Sequence, residues 1–341
     1  MSIWIGLLIT RKCTSRCKHC DWEAGPEREG LMSVQEAETY LKEAIKVDKP
    51  DRISISGGEP LIYFERVIEI ANIAHRLGYK VGIFTNFSWA KSPDIAYKRL
   101  SQLKENGITF ILTSADAFHQ EYVPIDCVCN GLLAAKEVGF EYIRISHQHI
   151  DDKCFYIKEK NSLNETTKQI IKKIESLDLG AIKSIVKMPN KHTRISSRAR
   201  NLVDSSLLNQ IPSTFAEAIE FVDDSIEKKW PNILRDFFIV DSGLVHIEPS
   251  TFVIGNAKEQ PLSEMIRYYD HSSHPLVVIM KEKGVKGLLE IAEQKGVKLS
   301  KKYFHMRDLV YDILLDPEIR KAYSVNTIQD GNKVVPLIEL A

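Results

Sequence analysis

Short apolar runs alternate with longer stretches of helical periodicity through the first half of the chain. Ile3–Thr10, Asp51–Ser56, Tyr79–Thr85, Ile108–Ser114, Glu141–His147 and Ala181–Met188 read as buried strands. Between them the pattern widens to helix spacing. Ser33 with Glu36 forms a capping-box signature for a helix running to about Lys46. Further helices are expected over Phe64–Leu77, closed by Gly78, over Pro93–Glu105, stopped by Gly107, in a segment ending at Gly139, and near Glu165–Leu177. Six strand–helix alternations at short spacing predict a parallel sheet with right-handed crossovers. The fold class is α/β, and six units make a partial (β/α)6 barrel rather than a closed eight-fold one. In such folds the chemistry lies at the carboxyl ends of the strands. Beyond the barrel, Ile239–Val245 reads as a hairpin around Asp241-Ser242-Gly243, followed by helices from Leu262, at Pro275–Lys295 and into Asp308–Ile319. The reading is therefore a barrel over residues 1–200 and a smaller α+β C-terminal extension over 201–341.

Composition narrows the function. Of 341 residues, 46 are Lys or Arg and 46 are Asp or Glu, so no net charge points to nucleic acid. The apolar N-terminal run is short and no basic residue precedes it. It is expected to be a strand rather than a signal peptide, and no other run approaches a membrane span. With six cysteines and no export signal, a reducing cytoplasm is the expected compartment.

The chemistry centres on Cys13-Thr-Ser-Arg-Cys17-Lys-His-Cys20, directly after the first strand. Three thiolates on one short loop suit three irons of a [4Fe–4S] cluster, leaving the fourth iron open for a small molecule. A structural zinc site is the alternative, but it asks for four ligands, usually as two separated pairs, and His19 is wedged between two cysteines. Cys127 and Cys129 fall on a helix, where cysteine behaves as a small apolar residue. Cys154 is the last cysteine in the chain.

This motif resembles that of the radical S-adenosylmethionine (SAM) superfamily. The resemblance implies a [4Fe–4S] cluster held by Cys13, Cys17 and Cys20, with His19 over the adenine of SAM. Gly57-Gly58-Glu59-Pro60, one unit later, matches the family's glycine-rich motif for the SAM amino group. Thr85 and Asn86 at the third strand's tip, Ser114 and Asp116 as a ribose-binding pair, and Arg144 facing the SAM carboxylate complete the expected pocket. His119 and Glu121 are candidates for substrate contact, as are His147 and His149. Ser196-Ser197-Arg198-Ala199-Arg200 resembles a Gly-Arg-Ala segment expected to close the pocket, with Arg198 or Arg200 as charge partner. Family chemistry implies a flavodoxin- or ferredoxin-type reductant and a 5′-deoxyadenosyl radical that abstracts hydrogen from substrate.

The C-terminal part resembles the auxiliary-cluster (SPASM/twitch-like) extension of radical SAM enzymes that modify ribosomal peptides. It lacks the cysteines of that extension, so one cluster per chain is expected. A peptide or peptide-derived natural-product precursor is the first expected substrate. A nucleoside or sugar is the second, since no leader-binding domain precedes the barrel. A non-catalytic zinc- or Fe–S-binding protein is the reading from another class.

Overall fold

The computed structural model describes residues 3–47, 52–178, 186–187, 190–222, 236–247, 252–269 and 274–323. Strands β1 (Trp4–Leu8), β2 (Arg52–Ser56), β3 (Lys80–Phe84), β4 (Ile108–Ser114), β5 (Tyr142–His149) and β6 (Val186–Lys187) lie side by side in chain order, all parallel. Helices α1 (Val34–Ile45), α2 (Phe64–Arg76), α3 (Pro93–Glu105), α4 (Ala117–Gln120), α5 (Ile125–Val138) and α6 (Lys160–Glu175) make the crossovers. The sheet runs open from β6 at one end, as the six-unit partial barrel requires. A short strand β7 (Asn190–His192) adds to the far end of β5.

Local sequence explains the boundaries. Ser33 accepts from Glu36 N while the Glu36 side chain returns to Ser33 N at 2.7 Å, the expected capping box. Ser92 caps α3, whose first residue is Pro93. Gly139 ends α5 in the left-handed conformation. The fifth strand runs two residues beyond its expected end, because His147 and His149 pair with β7. The sixth helix starts at Lys160 rather than near Glu165. Of the expected strand Ala181–Met188, only Val186 and Lys187 lie within the described residues.

Alternation along the strands divides the sheet into two faces. Ile5, Leu7, Ile53, Ile55, Val81, Ile83, Ile111, Ile143 and Ile145 pack against the helices in the main core. The opposite face is plugged low down by Trp4, whose ring meets Phe110 edge-on at 6.4 Å and whose indole N–H bonds Ser54 Oγ. Gly82 leaves the room that the Phe110 ring occupies.

The chain after the barrel joins the same sheet. β8 (Asp236–Val240) pairs in parallel with β1, and β9 (Leu244–Ile247) and β10 (Phe252–Asn256) continue it antiparallel. The turn between β8 and β9 falls at Asp241–Gly243, with Gly243 at φ 92°. Two short helices, α7 (Ser205–Leu208) and α8 (Phe215–Ala218), precede β8, and α9 (Leu262–Tyr268), α10 (Pro275–Gln294), α11 (Met306–Leu315) and α12 (Pro317–Ala322) follow β10. The expected Asp308–Ile319 segment divides at Asp316, which is extended and caps α12 ahead of Pro317. No described helix is long and apolar enough to cross a membrane.

His246 on β9 is wholly buried, opposite Phe238, with its ring edge-on to Trp22 at 5.4 Å. Burial, with the charge of Arg11 behind it, pushes its pKa down to about 3 from 6.5. The unfolded chain therefore binds the extra proton between those values, so stability is complete above pH 6.5 and falls as acid is added. One such proton is worth up to about 1.4 kcal/mol per pH unit. His246→Phe keeps a ring and removes the titration. It is expected to flatten the stability–pH slope between roughly pH 6.5 and 5 in urea unfolding, and parallel slopes for both chains would count against this assignment.

Candidate active site at the carboxyl ends of the strands

The cysteine loop is closed on itself by backbone pairing. Cys13 N donates to Gly25 O at 3.0 Å and Gly25 N to Arg11 O at 3.1 Å, so the loop leaves β1 and returns beside it. Cys13 and Cys17 are buried, Cys20 is half-buried, and all three are free thiols. Ser15 N points at Cys13 Sγ and Ala24 N at Cys20 Sγ, each at 3.4 Å. Burial raises all three thiol pKa values, Cys13 to about 12, and the neighbouring cysteines raise those of Cys13 and Cys17 further. A cationic centre bound among three such thiols would displace their protons to solvent and hold them as thiolates. Among the described residues, the set of potential ligands gathered within 4.8 Å is His19, Asp116 and His119, and the cysteines are not in it. Their sulfurs are spread more widely than a single ion holds its ligands. Three free thiols, two of them met by backbone N–H donors, fit a [4Fe–4S] cluster.

Gly57 and Gly58 lie against this loop. Gly58 N donates to Thr10 O at 2.8 Å and Glu59 N to Lys12 O at 2.9 Å. A Cβ on Gly58 would collide with Lys12 O and come within 2.7 Å of Cys13 Cβ. The glycines are thus needed where two backbones touch. Glu59 does not project outward as a charge beside an ammonium. It is 1% exposed and accepts from Leu61 N at 3.1 Å, Asn86 N at 2.7 Å and Thr85 Oγ1 at 3.0 Å. Burial drives its pKa up to about 7, against the pull of those donors. Asn86 Nδ2 reaches Thr14 Oγ1 at 3.2 Å, which ties the third strand's tip to the cysteine loop.

The fourth strand's exit holds a second group. Asp116 is fully buried and caps α4, accepting from Phe118 N and His119 N, both 3.1 Å, and from Gln148 N at 3.2 Å. Its Oδ1 is 2.8 Å from His119 Nδ1. Burial works to raise its pKa, yet the His119 charge and hydrogen bonds win and hold it down at about 2. This carboxylate is committed to the protein, so its part in the pocket is to set the turn and the imidazole. His119 stands edge-on to His19 at 4.8 Å, and His19 packs on Phe118 at 4.5 Å. His19 is 6% exposed, and its Nδ1 has no hydrogen-bond partner among the described residues. Ser114 is half-buried on the inner face, level with Ser146. Arg144 is level with Leu112, one two-residue step of about 6.6 Å deeper. His147 and His149 alternate with Gln148 and share the face of Ile143 and Ile145. Glu121 is exposed and pairs with Lys18 at 3.6 Å. Cys127 and Cys129 are buried on α5, as expected of apolar cysteines.

The extension supplies residues that the motifs did not mark. Arg307 on α11, 2% exposed, binds Asp21 at 2.9 Å, directly after Cys20. A cavity of about 240 Å³ opens beside this contact. Asp21, Trp22 and Glu23 form one wall, and Arg200, Lys301 and Tyr311 stand among the residues of the extension side. Val240 and Leu244 of the hairpin line it as well. Its only advance signal was the charge density of Lys301–Asp312, which a single sequence does not separate from a solvated helix face.

Residues 7–131 match the radical SAM superfamily. GTP 3',8-cyclase 2 of Pseudomonas aeruginosa is 26% identical over 200 residues, covering 53% of this chain and 56% of that protein. An S-adenosylmethionine-dependent nucleotide dehydratase of Fibrobacter sp. is 26% identical over 150 residues, covering 42% of this chain and 41% of that one. The chain spans about half the length of the curated relatives it matches. Among solved structures, native anSMEcpe with bound AdoMet and Cp18Cys peptide aligns over 94% of this chain and 97% of that one, at 12% identity and a TM-score of 0.49. That likeness is too loose to carry an argument.

Gly58→Ala tests the close approach. A methyl group forced against Lys12 O and Cys13 displaces one backbone or the other, an overpacking cost of about 1–3 kcal/mol. The variant is expected to unfold earlier in urea and to take up less iron on anaerobic reconstitution. Native stability together with native iron uptake would show that the two loops are not in contact.

Proposed function

We propose that this enzyme, a member of the radical SAM superfamily, binds its cluster through Cys13, Cys17 and Cys20 and acts on a small anionic molecule of the nucleotide class. With cluster and SAM bound, the chemistry supplied is reductive cleavage of the sulfonium to a 5′-deoxyadenosyl radical, which takes a hydrogen atom from the substrate. The electron comes from a flavodoxin- or ferredoxin-type donor.

The protein's part is to hold, orient and exclude. Backbone N–H groups of Ser15 and Ala24 steady two of the sulfurs. Glu59 locks the loops after β1, β2 and β3 into one rim. Asp116 fixes His119 beside His19, in line with an adenosine pocket at the fourth strand. Phe118, Tyr156 and Phe304 belong to an apolar cluster that includes Cys17, which keeps water from that side of the loop. Ser114 and Arg144 remain candidates for SAM on the inner face.

The cavity walled by Asp21, Trp22 and Glu23 carries the substrate reading. Arg200 bonds both Lys302 O and Asp308 through one nitrogen, Nη1. The guanidinium keeps further donors for a second anion. Trp22 and Tyr311 offer ring surface to a base. At about 240 Å³ the space is smaller than most small-molecule pockets, which run from about 300 Å³, so it takes part of a nucleotide rather than all of it. Two curated relatives named for different reactions on nucleotides support the same class. The peptide expectation has no comparable observation behind it.

The test is anaerobic. The reconstituted chain is expected to hold four irons and to release 5′-deoxyadenosine when reduced with SAM, and Cys17→Ala to do neither. Ribonucleoside triphosphates are expected to raise that release. Arg200→Ala should weaken their effect by about tenfold or more, the loss expected for one charge-assisted bond, while leaving unstimulated cleavage in place. Stimulation by peptides alone would return the substrate to the peptide class, and eight irons would overturn the single-cluster reading.

A further inference from the structure

Ser197–Leu202 forms a short 3-10 turn after the barrel strands. It sends two arginines to different partners. Arg198 donates from Nη1 to Cys17 O at 3.2 Å and from Nη2 to Ala24 O at 2.8 Å. Those carbonyls stand on either side of Cys20, so one planar fork spans the segment that carries the second and third cysteines. Arg200 turns the other way, to Asp308 Oδ2 at 3.2 Å. Ser197 is left-handed at φ 49°, a strained position for a residue with a side chain. Its N–H favours the charged form of the nearby Asp308 carboxylate. An acid on α11 is thus tied, through Arg200, to the turn from which Arg198 projects.

We propose that Arg198 is a positioning residue that sets the reduction potential of the iron–sulfur centre, and that Asp308 of the extension holds it in place. This rests on the reading that Cys13, Cys17 and Cys20 bind the cluster. Reduction adds an electron to a centre already surrounded by thiolates. A fixed cation beside them stabilises the reduced form, and local charge is one of the means by which proteins tune such centres. Arg307 meets the loop at the Asp21 carboxylate, 2.9 Å away.

The test is a redox titration of the reconstituted full chain, followed by electron paramagnetic resonance without SAM. Arg198→Met is expected to move the midpoint to more negative potential, lowering the reduced fraction at a fixed poise by about tenfold, or about 59 mV for a one-electron couple. Arg198→Lys keeps the charge and is expected to stay nearer the native midpoint. Asp308→Asn is expected to shift it in the same direction as Arg198→Met, by less. A native midpoint in Arg198→Met with four irons bound would overturn the proposal. If Arg198→Met binds no iron, Asp308→Asn decides, and a native midpoint there overturns it equally. A native signal surviving in Cys17→Ala would instead overturn the cluster assignment.

Discussion

The buried carboxylate of Glu59 is the point on which the site depends. It takes hydrogen bonds from the start of one helical turn and from the tip of β3, while its own N–H is bonded to the cysteine loop. A charge placed there is costly unless every lone pair is used. That cost makes the arrangement specific: the loops after β1, β2 and β3 satisfy the carboxylate only when all three are in place. Two adjacent glycines allow the approach, and Thr85 extends it by accepting from the Trp89 indole at 2.9 Å. The cysteine loop is thus positioned by its neighbours' backbones before any metal arrives.

This constraint explains which parts of the site were legible in the sequence. The Cys13–Cys20 spacing and the Gly57-Gly58 pair were readable because their residue types have few other uses at strand ends. Capping signals such as Ser33 with Glu36 fixed helix starts closely, since the motif satisfies defined backbone donors. Glu59 and Asp116 were found by motif, yet the direction of their side chains was not. Both were expected to face a ligand, and both are committed to the protein. A sequence shows that a carboxylate is present but not how many N–H groups surround it. Asn86 illustrates the reverse: it reads as a common turn residue, and its contacts reach residues more than seventy positions away.

The extension was legible as a hairpin and helices but not in its function. Its strands complete the sheet beside β1, so its turn and helices arrive at the rim where the cysteines are. Without cysteines of its own, the extension meets the barrel through charge: Arg307 to Asp21, and Asp308 to Arg200. Contacts of this kind join residues 100 or more apart in the chain, and no local pattern announces them.

Half-buried ion pairs of this type add little stability, because desolvation offsets most of the attraction. Their effect is on position. Burial raises the pKa of Asp308, and Arg200 and Lys301 work against that rise. The extension therefore reaches the cysteine loop through groups whose geometry is exacting and whose net energy is small. Replacing such a pair whole with apolar groups is often near neutral for the fold, whereas removing one partner leaves a buried charge at the loop. That combination suits an extension without cysteines of its own, which meets the barrel's cysteine loop through charge.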